Sequence, residues 1–378
     1  MHEGILKQRT FLSYFLILSI VSQSLYIFKL FNYAFSLSFF LVIVYIATRG
    51  RFNKIGLLVY SALIVFLLLN AFASISNLDI LEFFKSFLLT AIFLFVYIST
   101  FNDHSRFQLK INYSQVLKVV TYIIFSYGAM QIAEGYFLQS HSSWFFLDNV
   151  SISTATEHGR FEAVNFLGYT RPVSLYYEPS FFALTALFIL VVNDNTSSIR
   201  VVRVLSILSI LISFSTTILI FLILYYAIEM IKNLNNKKSI LFLILSLIFI
   251  SIYFVDVISL IRLNELSRPG TSGYIRIIEP LLIAQSELSN SPFGIPLGQL
   301  DVVFNNSAFL IVAYFGLLTF PLFLGWIYAL RRKLRYIDTL RYMVICMAAL
   351  FTSGAIFTVE FAVLFMLLNT SFFSGKLI

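Results

Sequence analysis

A guanidinium and a carboxylate, two groups that could do chemistry, meet a helix-starting proline in the run Arg171-Pro-Val-Ser-Leu-Tyr-Tyr-Glu178-Pro179-Ser180, which closes a polar segment and opens straight into the apolar stretch Phe181–Val192. A guanidinium is a planar, permanently charged fork that matches phosphate oxygens. A carboxylate seven residues later can activate a hydroxyl or order that guanidinium. The alternatives for each stay open. Arg171 could pair with lipid headgroups or loop carboxylates, and Glu178, just before a proline, could be the acid that a helix N-terminus favours.

A second polar stretch repeats the theme with Arg268 and Arg276. Glu178, Arg171 and Arg276 are the candidate catalytic residues. Arg171, Arg268, Arg276, Tyr177, Asn305 and Asn306 are the candidate substrate-binding residues. Asn305 and Asn306 open an apolar segment, so they either hydrogen-bond a ligand or start a helix. His141 and His158 lack a partner at metal-ligand spacing and read as solvated loop histidines. Ser213, Ser215, Thr216 and Thr217 interrupt another apolar stretch, where satisfying freed backbone groups is favoured over binding a sugar. Glu360, at the outer end of a final apolar pair, is either an intramembrane carboxylate with a site role or an acid at the water boundary.

The elements that carry these residues are membrane helices. The 378-residue chain is 59% hydrophobic and 12% charged, with 43 Phe and 21 Tyr, whereas a soluble domain carries about 25% charged residues. The fold class is therefore all-α and polytopic, a single transmembrane domain over 1–378. Apolar spans fall near 10–28, 31–48, 55–75, 80–99, 117–138, 179–193, 239–257, 307–330, 339–357 and 358–374. The stretch 202–231 is one long helix or two short ones broken at Ser213–Thr217.

Charge decides the orientation. With the N-terminus cytoplasmic behind Lys7 and Arg9, and with 202–231 crossing twice, nearly every basic residue falls inside. Only Lys29, Arg160, Arg171, Arg262, Arg268 and Arg276 lie outside, and Lys85 lies within a span. This gives about twelve spans with both termini cytoplasmic. The formal charge of +8 is then an anchoring pattern rather than a nucleic-acid surface. Two long outer loops remain, 139–178 and 258–306, and loops of that length usually carry function. In the second, Pro269–Gly273 breaks the chain. Tyr274–Leu288 then reads as an amphipathic surface helix interrupted at Pro280, with Ile277, Ile278, Leu281, Leu282 and Leu288 on its apolar face. Cys346 is the only cysteine, so no disulfide forms within the chain. No Walker A loop, Asp-x-Asp pair or HExxH occurs, so no cofactor or metal is expected.

The run Arg171 to Ala183 resembles the loop-to-helix junction of bacterial O-antigen polymerases (Wzy), within the superfamily that also holds the O-antigen ligases. The second loop is similar as well: Arg276, then Ser291-Pro-Phe-Gly294, then Asn305-Asn306-Ser-Ala-Phe-Leu, then Tyr314-Phe-Gly316. That order matches the family's arginine, P-x-G turn, asparagine helix start and glycine in the following span. The resemblance implies a metal-independent, GT-C-like glycosyltransferase in the inner membrane. It would join undecaprenyl-pyrophosphate-linked repeat units at the periplasmic face into O-antigen, capsule or exopolysaccharide. Arg171 and Arg276 would neutralise the departing pyrophosphate, and Glu178 would activate the acceptor hydroxyl or position Arg171. The implied partners are the lipid-linked glycan, membrane lipids, a chain-length regulator (Wzz-like) and a flippase.

Two other functions compete. A ligase would transfer finished glycan to lipid A core, but the ligases carry a histidine in the second outer loop and this chain has none there. A flippase or transporter for lipid-linked sugar would place charges midway along its spans with short loops on both faces. Here the charges gather in two long loops assigned to one face.

Overall fold

Inside a bilayer every backbone donor and acceptor must be paired within the protein, and long apolar segments achieve this by coiling into helices. The computed structural model follows that rule. It describes residues 2–23, 25–30, 33–49, 54–74, 78–102, 111–138, 165–166, 169–176, 178–232, 267–270, 274–299, 306–352 and 362–373. The helices are α1 (His2–Val21), α2 (Leu37–Arg49), α3 (Lys54–Ala73), α4 (Ile80–Asn102), α5 (Tyr113–Ala133, continued by a π-turn Glu134–Leu138), α6 (Pro179–Thr196), α7 (Arg200–Ser213) and α8 (Thr216–Lys232). They continue as α9 (Glu279–Asn290), α10 (Ser307–Phe315), α11 (Thr319–Lys333), α12 (Tyr336–Phe351) and α13 (Ala362–Phe373). Two short antiparallel ribbons complete the described elements: β1 (Tyr26–Leu30) with β2 (Tyr33–Ser36), and β3 (Asn165–Phe166) with β4 (Tyr169–Thr170).

Among the described residues, four segments are long and apolar enough to cross a membrane: Gly56–Ala73, Tyr113–Leu138, Pro179–Thr196 and Ser307–Lys333. Phe11–Val21, Thr216–Ile231 and Ala362–Phe373 are apolar but shorter. The span expected near 239–257 lies outside the described residues, as do His141, His158, Glu360 and most of both long loops.

The helices depart from the sequence reading at residues 26–36 and within Ser307–Lys333, and they decide between its two alternatives for 202–231. Residues 26–36, expected to be mostly helical, pair instead as the β1–β2 ribbon, with Leu30 opposite Tyr33; their aromatic and β-branched content suits a pleated pair. The stretch 202–231 is two helices. Phe214 ends α7 in a left-handed conformation at φ 45°, and α8 begins at Thr216. Ser213 does there what a break requires: its Oγ donates to Ile210 O at 2.7 Å and accepts from Ser215 N at 3.2 Å. The segment Ser307–Lys333 is also broken, at Gly316, where α10 passes through one 3₁₀ turn into α11. The run Tyr274–Asn290 is helical as expected, and it changes from a π-turn to α9 at Glu279, next to Pro280, where a proline removes one helix hydrogen bond. The buried positions of α9 are Pro280 and Ala284, while Leu281 and Leu282 are exposed.

Two compact units divide the chain: residues 1–64, 88–215 and 357–378 form the first, and 65–87 with 216–356 the second. The first unit is built round α6. Every residue from Phe182 to Asn193 is buried, as befits a helix apolar on all sides. Phe188 packs edge-on against Phe365 of α13 at 5.1 Å between centroids. The Tyr113 hydroxyl donates to Thr370 Oγ1 at 2.7 Å, tying α5 to the same helix. The α6–α7 turn is closed by polar groups. Asn193 accepts from Ile199 N at 2.9 Å and donates to Ile199 O at 3.1 Å. Arg203 reaches Asp194 through both Nε (2.8 Å) and NH2 (2.7 Å).

The second unit pairs α8 with α12. Arg341 of α12, 5% exposed at its side chain, lies 2.6 Å through Nε from Glu229 and donates through NH2 to the Tyr225 hydroxyl at 2.6 Å. Its guanidinium also stands 5.2 Å above the Tyr225 ring and 3.5 Å from Asp338. Tyr225 and Glu229 are one helical turn apart on α8, so a single arginine engages both. At the start of α4, Asp79 Oδ1 accepts from Leu81 N and Glu82 N at 3.0 and 3.2 Å, a side-chain cap for an apolar helix.

Candidate active site at the start of helix α6

The junction from Arg171 to Glu178 has been read above as the end of an outer loop. The structure seats it inside the first unit. Pro172, Val173, Ser174 and Tyr176 are all buried, and α5 supplies the seat through residues spaced along one face. Ser174 Oγ donates to Ile124 O at 2.7 Å. Gly128 leaves room for the chain: a Cβ there would stand 3.1 Å from the Phe182 ring and 3.8 Å from Pro172. Gln131, wholly buried, accepts through Oε1 from Val173 N (3.0 Å) and Ser174 N (2.8 Å) and donates through Nε2 to Ser174 O (3.2 Å). Ile124, Gly128 and Gln131 follow the i, i+4, i+7 rhythm of one helix face.

Those contacts set the depth of the loop. Gln131 precedes the end of the π-turn at Leu138 by about 10 Å of helix rise, and Ile124 by about 20 Å. Irregular backbone at such a level is tolerated only where protein pairs its polar groups, which Gln131 does for three of them. Ser174 is left-handed at φ 53°, a conformation costly for a residue with a Cβ unless its surroundings fix it. The Tyr176 side chain is buried and holds the loop by packing.

Arg171 and Glu178 emerge from the two ends of this seat. The Arg171 guanidinium lies 3.5 Å from the Phe214 carbonyl, at the break that ends α7. The last carbonyls of a helix carry partial negative charge, so a cation is welcome there. Glu178 is the N-cap of α6 in an extended conformation, with Pro179 following, but its side chain makes no capping bond. Ser180 Oγ instead donates to Glu178 Oε2 at 2.8 Å. The carboxylate is thus held by a hydroxyl two residues on, at half-buried exposure.

The remaining candidates divide between the described and undescribed parts of the chain. Arg268 is exposed, in a turn whose Gly270 has φ 82°. Arg276 belongs to the π-turn Tyr274–Ile278 that leads into α9, and its side chain lies outside the described residues, as do Tyr177 and Asn305. Asn306 is buried and caps α10, its side-chain oxygen accepting from Ala308 N at 2.9 Å. Of its two sequence roles, helix start is the one the structure displays.

The second loop closes on the broken span. Pro292 O accepts from Leu317 N at 2.9 Å, and Ala313 O accepts from Ile295 N at 2.8 Å. Gly294 (φ 91°) and Gly316 (φ 54°) face each other at the crossing. The P-x-G turn and the glycine of the next span are therefore one packing unit. The family model described as WcaD colanic acid polymerase matches residues 11–371. The chain belongs to the WcaD colanic acid polymerase family. With that family it joins the polymerases that assemble repeat units into exopolysaccharide or O-antigen chains. No curated protein and no solved structure matches the chain.

In this WcaD-family chain, the sequence reading did not single out the residues that hold the junction. Gln131, Gly128 and Ser174 are the α5 seat and its occupant, and Gln131 carried a usable signal: an amide within an apolar span is costly unless it is used. The cluster of Arg341, Glu229 and Tyr225 is likewise unmarked in sequence, because Arg341 belongs to a basic group that orientation alone explains.

Proposed function

We propose that the chain joins undecaprenyl-pyrophosphate-linked repeat units at the periplasmic face of the bacterial inner membrane, with the Arg171–Glu178 junction as its reaction centre. The acceptor hydroxyl oxygen bonds to the anomeric carbon of the growing chain, and the bond from that carbon to the pyrophosphate oxygen breaks. The electron pair leaves with the lipid pyrophosphate, and the hydroxyl proton passes to a base. Arg171 stabilises the charge that develops on the leaving group, and Arg276 is proposed for the same electrostatic role, one suited to guanidinium forks. Glu178 takes the hydroxyl proton or orients the acceptor. On this reading the enzyme is a GT-C-like glycosyltransferase that uses no metal, within the O-antigen polymerase and ligase superfamily. About twelve spans place both termini in the cytoplasm.

The observation that carries the proposal is the seating of Arg171 and Glu178 at the two ends of one buried, hydrogen-bonded loop. Catalytic groups need such support, because small displacements of a reacting group are costly. Deleting the gene in a strain that builds its surface glycan by polymerisation tests the reading. A single repeat unit on the final acceptor is the expected phenotype. Lipid-linked polymer with a bare acceptor would make the protein a ligase, and repeat units retained on the cytoplasmic side would make it a flippase.

A further inference from the structure

Gln131 is buried at 0% exposure in the last turn of α5, and its amide bonds three main-chain groups of a neighbouring loop. Oε1 bridges two consecutive N–H groups, those of Val173 and Ser174, and Nε2 returns to the Ser174 carbonyl. This is an amide reading a backbone that has no secondary structure of its own. The bonded residues lie between the two proposed reacting groups, two residues after Arg171 and four before Glu178. They include the left-handed Ser174, whose conformation sets the angle between the incoming and outgoing chain. A Cβ at Gly128 would stand 3.1 Å from the Phe182 ring and in ordinary contact, at 3.8 Å, with Pro172, so α5 packs closely under both the loop and the start of α6.

From this geometry we infer that Gln131 is the positioning residue of the reaction centre: it sets the separation and direction of Arg171 and Glu178 without touching substrate. The inference rests on the reading of Arg171–Glu178 as that centre. Its consequence is specific. Removing the amide should leave substrate binding nearly intact and lower turnover, since misplacing a reacting group by about 1 Å costs on the order of 100-fold. The donor half is separable from the acceptor half. In Gln131→Glu an ionised carboxylate still accepts from Val173 N and Ser174 N but meets the Ser174 carbonyl without a proton. Protonation restores the donor.

The test uses the full-length protein in proteoliposomes, with lipid-linked repeat unit purified from cells lacking this gene. Gln131→Leu, similar in volume, is expected to lower kcat by about 100-fold while KM changes by less than about threefold. Gln131→Glu is expected to lie between Gln131→Leu and the natural protein, with its rate relative to the natural protein rising as pH falls from about 8 to about 6. If Gln131→Leu fails to accumulate, Gln131→Glu and its pH profile carry the test alone. Natural kcat in folded Gln131→Leu, or a Gln131→Glu rate ratio indifferent to pH, overturns the inference. The underlying reading fails separately, if Arg171→Ala and Glu178→Gln both polymerise at the natural rate in the same vesicles.

Discussion

A methyl group placed on Gly316 would lie 2.5 Å from the backbone nitrogen of Gly294. The two glycines are the crossing point of the second loop and the broken span, and each has a positive φ. Their requirement is twofold: a left-handed backbone and room for another main chain.

Gly294→Ala and Gly316→Ala are each expected to destabilise the protein by about 3 kcal/mol or more, because backbone atoms, not flexible side-chain ends, occupy the space. Gly294 would meet the Tyr314 carbonyl, and its carbon at 2.6 Å. Gly325 is the control, since among the described residues nothing lies within 4 Å of its Cβ position and alanine is the better helix former. Thermal unfolding of the three variants in detergent checks this. Equal midpoints for Gly316→Ala and Gly325→Ala would contradict the crossing.

Arg171→Ala and Glu178→Ala are each expected to abolish long glycan chains while the protein stays in the membrane. Arg171→Lys should recover little, since an ammonium cannot present the guanidinium fork to two phosphate oxygens. The readout is the glycan ladder on a gel, normalised to protein in the membrane fraction. Because Arg171 also lies against the Phe214 carbonyl, a thermal unfolding measurement accompanies the ladder. A ladder of natural length from Arg171→Ala removes the proposed role in charge stabilisation.

Much of this architecture is legible in sequence because hydropathy and charge are summed over many residues. The apolar runs give α3, α4, α5 and α6 within a few residues, and the serine-threonine cluster at 213–217 marks the α7–α8 break. Local pairing is less legible. The β1–β2 ribbon lies inside apolar sequence that also suits helix, and the fault in the Ser307–Lys333 span depends on a partner loop meeting Gly316 from elsewhere in the chain. The candidate site divides in the same way. Arg171 and Glu178 announce themselves as charges beside an apolar helix. Gln131 shows in sequence only as an amide within an apolar span; its role does not, because that depends on a loop some 40 residues later folding back to its level.

Asn306 separates a ligand contact from a cap. Its oxygen accepts from Ala308 N, so Asn306→Ala should cost about 1 kcal/mol of stability, and Asn306→Asp or Asn306→Ser should recover most of it. Chain length is expected to follow stability across the three variants, with protein-normalised activity close to natural for the serine form. A stable Asn306→Ser variant that makes no polymer would return the residue to the substrate-binding set.

The Arg341–Glu229 pair joins α8 to α12 at 2.6 Å with the arginine buried. A buried ion pair contributes little net stability against an apolar substitute, but breaking one side strands the other. Glu229→Gln and Arg341→Met are therefore each expected to cost about 3 kcal/mol. The double variant should cost clearly less than the sum, as expected for residues in direct contact. The Tyr225 hydroxyl, which accepts from Arg341 NH2 at 2.6 Å, adds a second arm: Tyr225→Phe removes that acceptor while leaving the ring beneath the guanidinium, and should cost about 1–3 kcal/mol. Unfolding midpoints of the single and double variants in detergent measure the coupling. Strict additivity of Glu229→Gln and Arg341→Met would mean that the pair does not act as a unit and that α8 and α12 are held by their apolar faces alone.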